Sequence, residues 1–289
     1  MAIKSLHIPN TRRILKGIFV FRPMRIYFSL KKRRLLRLFP ILLFISEIFI
    51  YWRSLFKSSA CSGKFLIFAQ ERSGSTLLKD LLNSNSNIDC EGEILHYRVF
   101  LPGAFVRGRS TLSQKRWYGF KVQINQLVET QRIRNPREFL LKLSQEGWSI
   151  IYLKRKNILR QAISRLVAEY RGAFHHKSTD DPMKSSKIEV DCDRLIRFLE
   201  ERESHLAEED RSLQGIPHLA LTYEDDLLDS ERQHETVNKV CEFLGCPSEP
   251  ANTSLIKVGK SRLSDTIDNF EEISQFIGET KYADLLHVQ

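Results

Sequence analysis

The chain has 289 residues, of which 42% are hydrophobic and 28% are charged, a balance typical of a globular protein and not of a disordered one. Its formal net charge is +10, but residues 1–60 contain thirteen Lys or Arg and a single acid, Glu47, which leaves 32 basic and 34 acidic residues in 61–289. The positive excess is therefore confined to the N-terminal segment. This distribution argues against a nucleic-acid-binding surface on the body of the protein, and no nucleic-acid partner is expected.

The N-terminal segment combines this charge with an apolar stretch. Five cations lie within 31–37, and residues 38–52 follow with Glu47 as their only charge. A helix that spans a membrane needs about 20 apolar residues, and an acid near its centre costs about 2.5–3.5 kcal/mol. Extending the helix to 35–56 supplies the length but includes an arginine near each end.

Three arrangements of the apolar helix 35–56 are open. It could span a membrane once, lie in the interface of an anionic membrane surface, or pack on the folded domain, which we place at residues 61–289. Because Glu47 opposes a span, we favour the interfacial arrangement, with the folded domain on the cytoplasmic face of the membrane.

The five cysteines are odd in number and scattered along the chain. Cys241 and Cys246 are separated by four residues, a spacing too wide for a CxxC redox or zinc pair. We expect free thiols, a reducing compartment and no metal site.

From residue 61 onward, apolar runs alternate with helical patterns. The clearest helix is 158–170, where apolar residues recur at i and i+4 and Asn157 is placed as the N-cap. Continuous apolar strands that alternate with helices indicate a parallel sheet covered on both faces, which is an α/β architecture. Strands are predicted at 64–70, 118–124, 148–153 and 218–223, and further helices at 75–83, 136–146, 192–209 and 235–244.

The first strand is followed by a turn of small residues, Ser73-Gly74-Ser75-Thr76, with Arg72 directly before it. Backbone N–H groups converge where such a turn opens a helix, and the helix dipole favours a phosphate there. A Walker A loop would carry a lysine just before the hydroxyl residue that meets Mg²⁺, whereas Gly74-Ser75 stands in that place. The turn is therefore predicted to cradle a phosphate without gripping a metal-bound triphosphate.

A second anion site is predicted where the third strand ends. Arg155 and Lys156 close that strand, and a helix N-terminus begins two residues later. Ser164 lies on the polar side of that helix. Such a site suits a second phosphate, and either Arg155 or Lys156 could take it.

Together the two motifs, ERSGSTLL at 71–78 and YLKRKNILRQAISRLVAEY at 152–170, resemble those of sulfotransferases that use 3′-phosphoadenosine-5′-phosphosulfate (PAPS). Within that superfamily the first motif looks most like the carbohydrate sulfotransferases of the trehalose type. The resemblance implies the sulfotransferase fold, a P-loop-like parallel sheet flanked by helices, behind an N-terminal basic and apolar helical appendage. It also implies PAPS as the co-substrate, a hydroxyl-bearing acceptor such as a sugar or glycolipid, and no metal.

The resemblance assigns the residues near the two motifs to the co-substrate. The turn and the start of its helix would hold the 5′-phosphosulfate, and the second motif would hold the 3′-phosphate. A C-terminal segment containing Lys260 and Arg262 looks like the family's terminal segment, which closes over the co-substrate. The implied binding residues are Arg72, Ser73, Gly74, Ser75, Thr76, Leu77, Arg155, Lys156, Ser164, Lys260 and Arg262.

The same resemblance implies two catalytic residues. Arg72 would neutralise the departing phosphate, because the family places a basic residue before the loop. A glutamate after the first helix would take the proton of the acceptor hydroxyl, and Glu93 is our choice, with Glu91 and His96 in reserve.

Two other functional classes stay open. The chain could be a P-loop-like nucleotide kinase or phosphotransferase, although it lacks the P-loop lysine. It could also be a non-catalytic, membrane-associated nucleotide-binding protein that keeps both anion sites. Binding of 3′,5′-bisphosphoadenosine, compared with ATP and Mg²⁺, would discriminate sulfotransfer from the kinase.

Overall fold

The structure, a computed structural model, describes residues 39–57, 59–170, 187–253 and 262–287. Its strands are β1 Gly63–Ala69, β2 Ile88–Glu93, β3 Trp117–Val122, β4 Trp148–Lys154 and β5 His218–Thr222. Its α-helices are α1 Phe39–Phe56, α2 Ser75–Asn83, α3 Pro102–Ser110, α4 Pro136–Gln145, α5 Ile158–Tyr170, α6 Cys192–Leu213, α7 Ser230–Leu244 and α8 Phe270–Gly278. Two single π-helical turns cover Gln126–Thr130 and Tyr223–Leu227, and short 3₁₀ turns cover Leu263–Asp265 and Ala283–Leu286.

The five strands form one parallel sheet in the order β2-β3-β1-β4-β5. Alternate side chains of the central strand β1 pack in different hydrophobic clusters. Leu66 and Phe68 pack in the cluster that includes α4, and Phe65 and Ile67 pack in the cluster that includes α2. The prediction of a parallel α/β sheet covered by helices on both faces is confirmed.

The strand order creates a crevice at one edge of the sheet. After β1 the chain crosses to β2 on one side, and after β3 it crosses over β1 to β4 on the other side. The connections from the neighbouring strands β1 and β4 therefore leave in opposite directions. Open parallel sheets bind ligands outside the carboxyl ends of the strands at such a reversal, and both predicted anion sites lie at these two strand ends.

Several elements differ from the sequence prediction. Residues 88–93 form an edge strand, although IDCEGE lacks the apolar run that marks the other strands. Helices α3 and α8 were not predicted, and α6 continues to Leu213, beyond the predicted end at 209. The polar stretch predicted as a loop at 175–187 lies almost wholly outside the described residues.

The N-terminal helix α1 packs against α3. Ile50 is buried, and its backbone oxygen lies so close to Gly108 that a Cβ at that glycine would come within 2.1 Å. Arg53 Nε donates to Thr111 Oγ1 at 2.7 Å. Glu47 Oε1 accepts the backbone N–H of Phe100 at 2.6 Å. One face of α1 is thus held on the domain.

Within the described residues, no helix is long and apolar enough to cross a membrane. The boundary drawn at residue 60 between an appendage and a catalytic domain stays a prediction.

Candidate functional site

The turn after β1 has the backbone of an anion cradle. Arg72 has a φ of 58° and Gly74 a φ of 88°, so the chain reverses within three residues before α2 begins. The Ser73 hydroxyl donates to the Gln70 carbonyl at 2.7 Å and fixes the turn. No side chain caps the N-terminus of α2 in the described chain, so its first N–H groups are available to an anion.

The second motif lies directly against this turn. Arg155 Nη1 donates to the carbonyl oxygen of Arg72 at 3.1 Å. In return, Arg72 Nε donates to Ser164 Oγ on α5 at 3.0 Å. The residues predicted for two phosphate sites, separated widely in the sequence, are therefore brought together at the carboxyl ends of β1 and β4.

The two guanidinium groups sit in a partly desolvated place. The Arg155 side chain is 15% exposed, and its charge lies 4.8 Å from the centre of the Tyr223 ring. Burial lowers the pKa of both Arg72 and Arg155, and at Arg72 the neighbouring charge of Arg155 adds to the effect. Both groups stay protonated because an arginine pKa starts so high. Two guanidinium groups are thus held close together beside the turn, and Glu224 pairs with that of Arg155.

Glu224 already fills the N-terminus of α5. Its carboxylate accepts from the backbone N–H of Lys156 at 2.9 Å and of Asn157 at 3.4 Å, and from Arg155 Nε at 3.3 Å. Asn157 Oδ1 accepts the N–H of Arg160 at 2.9 Å, which confirms the predicted N-cap. Protein groups therefore already accept three backbone N–H groups at this helix end, those of Lys156, Asn157 and Arg160.

Lys156 points to a different partner from Arg155. Its Nζ lies 2.7 Å from the Asp225 carboxylate, and about half of each side chain is exposed. Arg155 contacts the turn directly, whereas Lys156 is paired away from it. Of the two cations that the sequence left open, Arg155 is the one that the fold brings to the cradle.

Glu93, the predicted base, lies at the end of β2 opposite Lys121 of β3. Lys121 Nζ donates to Glu93 Oε1 at 3.1 Å and to Thr76 Oγ1 at 3.0 Å. Gln126 Nε2 donates to the other carboxylate oxygen at 3.0 Å. Lys121 thus links the predicted base to the first turn of α2, and its own side chain is only 8% exposed.

The surroundings of Glu93 set its protonation. Burial acts to raise the pKa of Glu93, but the charge of Lys121 and the hydrogen bonds from Lys121, Gln123 and Gln126 outweigh it. The pKa therefore lies below that of an ordinary glutamate. At neutral pH this carboxylate is ionised and can accept a proton.

The two reserve candidates have other environments. Glu91 accepts from Arg109 Nε at 3.2 Å and from the Tyr118 hydroxyl at 2.7 Å. Its carboxylate is therefore already engaged in an ion pair with Arg109 and a hydrogen bond from Tyr118. His96 is exposed, and its Nδ1 lies against the carbonyl oxygen of Glu93. Neither Glu91 nor His96 has the hydrogen bond from Lys121 that Glu93 has.

Of the two C-terminal residues assigned to the co-substrate, the structure describes Arg262. Lys260 lies outside the described residues. Arg262 is exposed and precedes the 3₁₀ turn Leu263–Asp265, and no contact within the described ranges joins it to the turn, Arg155 or Ser164. Its role in closure over a phosphate stays a prediction.

Four residues of the site were missed by the sequence analysis. A lysine inside the fully buried strand β3 was the available signal for Lys121. The others, Gln126, Tyr223 and Glu224, lie on the two π-helical turns, which occur often at functional sites but have no sequence signature. Among the described residues no group of His, Cys, Asp and Glu could hold a metal ion.

The arrangement suits a ligand with more than one anionic group. Arg72, Arg155 and Lys121 surround the open N-terminus of α2, and Glu93 is the ionised carboxylate beside them. Such a site can bind phosphate groups, stabilise a departing anion and accept a proton.

Comparison with known proteins gave likenesses only at the level of structure. No protein-family model matches the chain, and no curated protein matches it in sequence. A crystal structure of a sulfotransferase from Alicyclobacillus acidocaldarius aligns with a TM-score of 0.46 and 14% identity, over 78% of this chain and 96% of that one. Mouse sulfotransferase SULT7A1 complexed with PAP aligns with a TM-score of 0.40 and 13% identity, over 81% of this chain and 91% of that one. These values are too low to assign a family, so the function has to be argued from the site.

Proposed function

We propose that the chain is a PAPS-dependent sulfotransferase. The observation that carries this proposal is the junction of Arg155, Arg72 and Ser164, which joins a phosphate-cradling turn to a second cationic site. A mononucleotide with one anionic end needs only the first of these. A nucleotide that carries phosphate at both its 3′ and 5′ positions would use both.

The residues at the crevice fit the charge of such a co-substrate. The uncapped N-terminus of α2 and the Thr76 hydroxyl would hold the 5′-phosphosulfate, while Arg155 and Ser164 would meet the 3′-phosphate. Ser73 contributes its backbone, because its hydroxyl is bonded to Gln70.

Glu93 and Arg72 would carry the chemical step. The Glu93 carboxylate accepts the proton of the acceptor hydroxyl while that oxygen forms its bond to sulfur. The bond between sulfur and the bridging oxygen of the 5′-phosphate breaks, and its electron pair leaves with the phosphate. Arg72 and the N–H groups of α2 stabilise that charge. The products are a sulfate ester and 3′,5′-bisphosphoadenosine.

Lys121 would fix the position of the proposed base relative to the phosphate-binding turn. Its ammonium group keeps Glu93 ionised and contacts Thr76, so the base and the cradle are separated by one side chain. A cation in that position would also be able to offset negative charge on the sulfuryl oxygens of the bound co-substrate.

A hydroxyl on a sugar or glycolipid is the proposed acceptor. This part of the proposal rests on the resemblance of the turn to carbohydrate sulfotransferases. A transfer screen with PAPS over glycan, glycolipid and small-molecule hydroxyls tests it, and activity confined to phenols or amines would contradict it.

Ligand-dependent melting tests the proposed function. We expect 3′,5′-bisphosphoadenosine to raise the Tm of the full chain, and ATP with Mg²⁺ to raise it little, since the turn lacks the P-loop lysine. Arg155→Ala should abolish the selectivity, whereas Lys154→Ala, on the same strand end but paired with Asp210, should keep it. Stabilisation by ATP and Mg²⁺ alone would point to a phosphotransferase, and bisphosphate binding without sulfate transfer to any acceptor would point to a binding protein.

A further inference from the structure

The outer side of α1 is an exposed apolar stripe. Six of its large apolar side chains are between 48% and 78% exposed. On a helix with about 3.6 residues per turn they fall within an arc of about 120°, and buried Ile50 lies on the opposite side. The stripe consists of Phe44, Ile45, Ile48, Trp52, Leu55 and Phe56.

Two further exposed apolar residues lie in the loop before α3, against α1. Phe100 is 85% exposed and Leu101 is 51% exposed. Their backbone N–H groups are held by α1 itself, through Glu47 Oε1 at 2.6 Å and the Tyr51 hydroxyl at 2.8 Å. We call the six helix residues together with Phe100 and Leu101 the α1 apolar surface.

The same contacts turn the one acid of this helix away from the stripe. Glu47 would be costly in the centre of a span. In the structure its carboxylate is engaged by Phe100 N–H and the Tyr51 hydroxyl, on the side of the helix that faces the domain. Arg53 is likewise turned toward Thr111. Neither charged group has to enter an apolar phase for the outer stripe to do so.

The sequence next to this surface is strongly basic. Residues 31–37 contain five Lys or Arg, and residues 1–38 contain eleven with no acid. Apolar side chains on one face of an interfacial helix insert at the boundary between headgroups and acyl chains, and nearby cations bind anionic headgroups. An anionic lipid surface is complementary in charge to this segment, whereas a second copy of the chain carries the same positive charge.

We propose that the α1 apolar surface docks on an anionic lipid bilayer, with α1 lying in the interface. A helix in this position leaves its flanking segments on one side of the membrane. Cytoplasmic leaflets carry the anionic lipids that such a surface recognises. The proposal stands independently of the proposed sulfotransferase function.

Docking would place Phe100 at the lipid, a few residues along the chain from the proposed base. Phe100 follows Glu93 by seven residues, which can span at most about 25 Å when fully extended.

Vesicle co-sedimentation of the full chain is the first test. We expect binding to vesicles of phosphatidylcholine mixed with phosphatidylglycerol, and at least about tenfold weaker partitioning onto phosphatidylcholine alone, because several cations contribute. Replacing the five cations of 31–37 by glutamine should weaken partitioning onto the anionic vesicles to a similar extent. A chain that sediments with neither type of vesicle would overturn the proposal.

The depth of insertion can be read from Trp52. Trp117 and Trp148 are 6% and 2% exposed, whereas Trp52 is 48% exposed. Brominated acyl chains should therefore quench the tryptophan emission mainly through Trp52, and Trp52→Phe should remove that quenching while vesicle binding persists. Binding without quenching would mean that only the basic segment touches the membrane, and would overturn the role of the apolar surface.

A charged substitution in the stripe distinguishes a lipid bilayer from a second copy of the chain as the binding partner. Ile48→Glu should lower vesicle partitioning at least about tenfold, since insertion of a carboxylate is costly, without changing the Tm. Phe243→Glu, at an exposed apolar residue of α7, is the matched control and should bind as the wild type does. Unchanged binding of Ile48→Glu would contradict the proposal. A dimer in light scattering that Ile48→Glu dissociates would assign the surface to a second copy instead.

Discussion

Arg72 and Ser164, 92 residues apart in the chain, are joined by a hydrogen bond of 3.0 Å from Nε to Oγ. Arg72 belongs to the turn that follows β1, and Ser164 to the second turn of α5. One guanidinium group is thus shared between the two places where the sequence predicts phosphates. A ligand that engages both sites would be bound by hydrogen-bond donors that are connected through Arg72.

This connection predicts different effects for its two members. Ser164→Ala should weaken 3′,5′-bisphosphoadenosine binding by about 1–3 kcal/mol, the worth of a charge-assisted contact, with turnover at saturation reduced less. Arg72→Ala should reduce turnover far more than affinity, because its charge partner develops as the phosphate leaves. Calorimetric titration and single-turnover rates measure the two quantities. Ser204→Ala, at an exposed helical serine, should change neither, and equal losses in both variants would contradict the division of roles.

Glu93 should prove to be the base. Glu93→Gln keeps the shape of the side chain and one oxygen for Lys121, so fold and bisphosphate affinity should persist. The rate of transfer should fall by about 10²–10⁴-fold, the usual contribution of a general base. Glu91→Gln should instead lower the Tm, since it breaks the pairing with Arg109 and Tyr118. An active Glu93→Gln together with an inactive His96→Asn would assign the proton to the histidine.

The ion pair with Lys121 predicts a pH effect. With the wild-type pair, the pKa of Glu93 is lowered, so kcat/KM should fall only at low pH, where the carboxylate becomes protonated. Lys121→Met removes the charge that stabilises the ionised form, and burial then raises the pKa. The acid limb of the pH profile of kcat/KM should therefore move to higher pH. Lys121→Arg keeps a cation and should move the acid limb less. If the acid limb of Lys121→Met stays where it is in the wild type, that limb does not report the protonation of Glu93.

Most of the sheet and the cradle could be predicted from the sequence because local patterns encode them. The run that forms β1 is continuously apolar, and the small residues after it open a helix at Ser75 as expected. The helix that carries Ser164 has apolar residues at helical spacing and an asparagine cap. Each of these signals lies within about fifteen residues, so no tertiary information was needed.

The pairing of the proposed general base Glu93 with Lys121 could not be predicted in the same way. Glu93 meets Lys121 because β2 and β3 pair in register at the edge of the sheet, across an irregularity between Cys90 and Glu93. Register is a long-range property, and a one-residue slip would turn Lys121 away. The carboxylate of Glu224 at the N-terminus of α5 is equally non-local. Local sequence therefore identifies the anion sites but not the contacts that tune them.

Gly74 should not tolerate a side chain. Its φ of 88° is unfavourable for any other residue, and a Cβ would lie 2.4 Å from Tyr223 Cδ2. Gly74→Ala should therefore lower the free energy of unfolding by more than the about 1–2 kcal/mol expected from the left-handed backbone alone. Gly147→Ala, at a φ of 82° with nothing within 4 Å, measures the backbone cost. Equal destabilisation in urea would show that Tyr223 moves aside at no cost.

Glu209 is buried beneath the cradle and lacks a full set of partners. Its side chain is 1% exposed, and Oε2 accepts from the Tyr152 hydroxyl at 2.9 Å and from Gln70 Nε2 at 3.3 Å. Oε1 has no hydrogen-bond partner among the described residues. Burial raises the pKa of Glu209 to about 7, against the partial opposing effect of those hydrogen bonds.

This raised pKa predicts the direction of a stability change. Between the unfolded pKa and about 7, the native state binds more protons than the unfolded state, so the contribution of Glu209 is present in acid and is lost as the pH rises through the folded pKa. Glu209→Gln removes the titration. Its free energy of unfolding, measured in urea, should exceed that of the wild type above pH ~8 by up to about 3 kcal/mol, and the gap should close at mildly acidic pH. Asp210→Asn, at the exposed neighbour that pairs with Lys154, should show no such gap, and a gap for Glu209→Gln that is constant with pH would mean that the carboxyl does not titrate near neutrality.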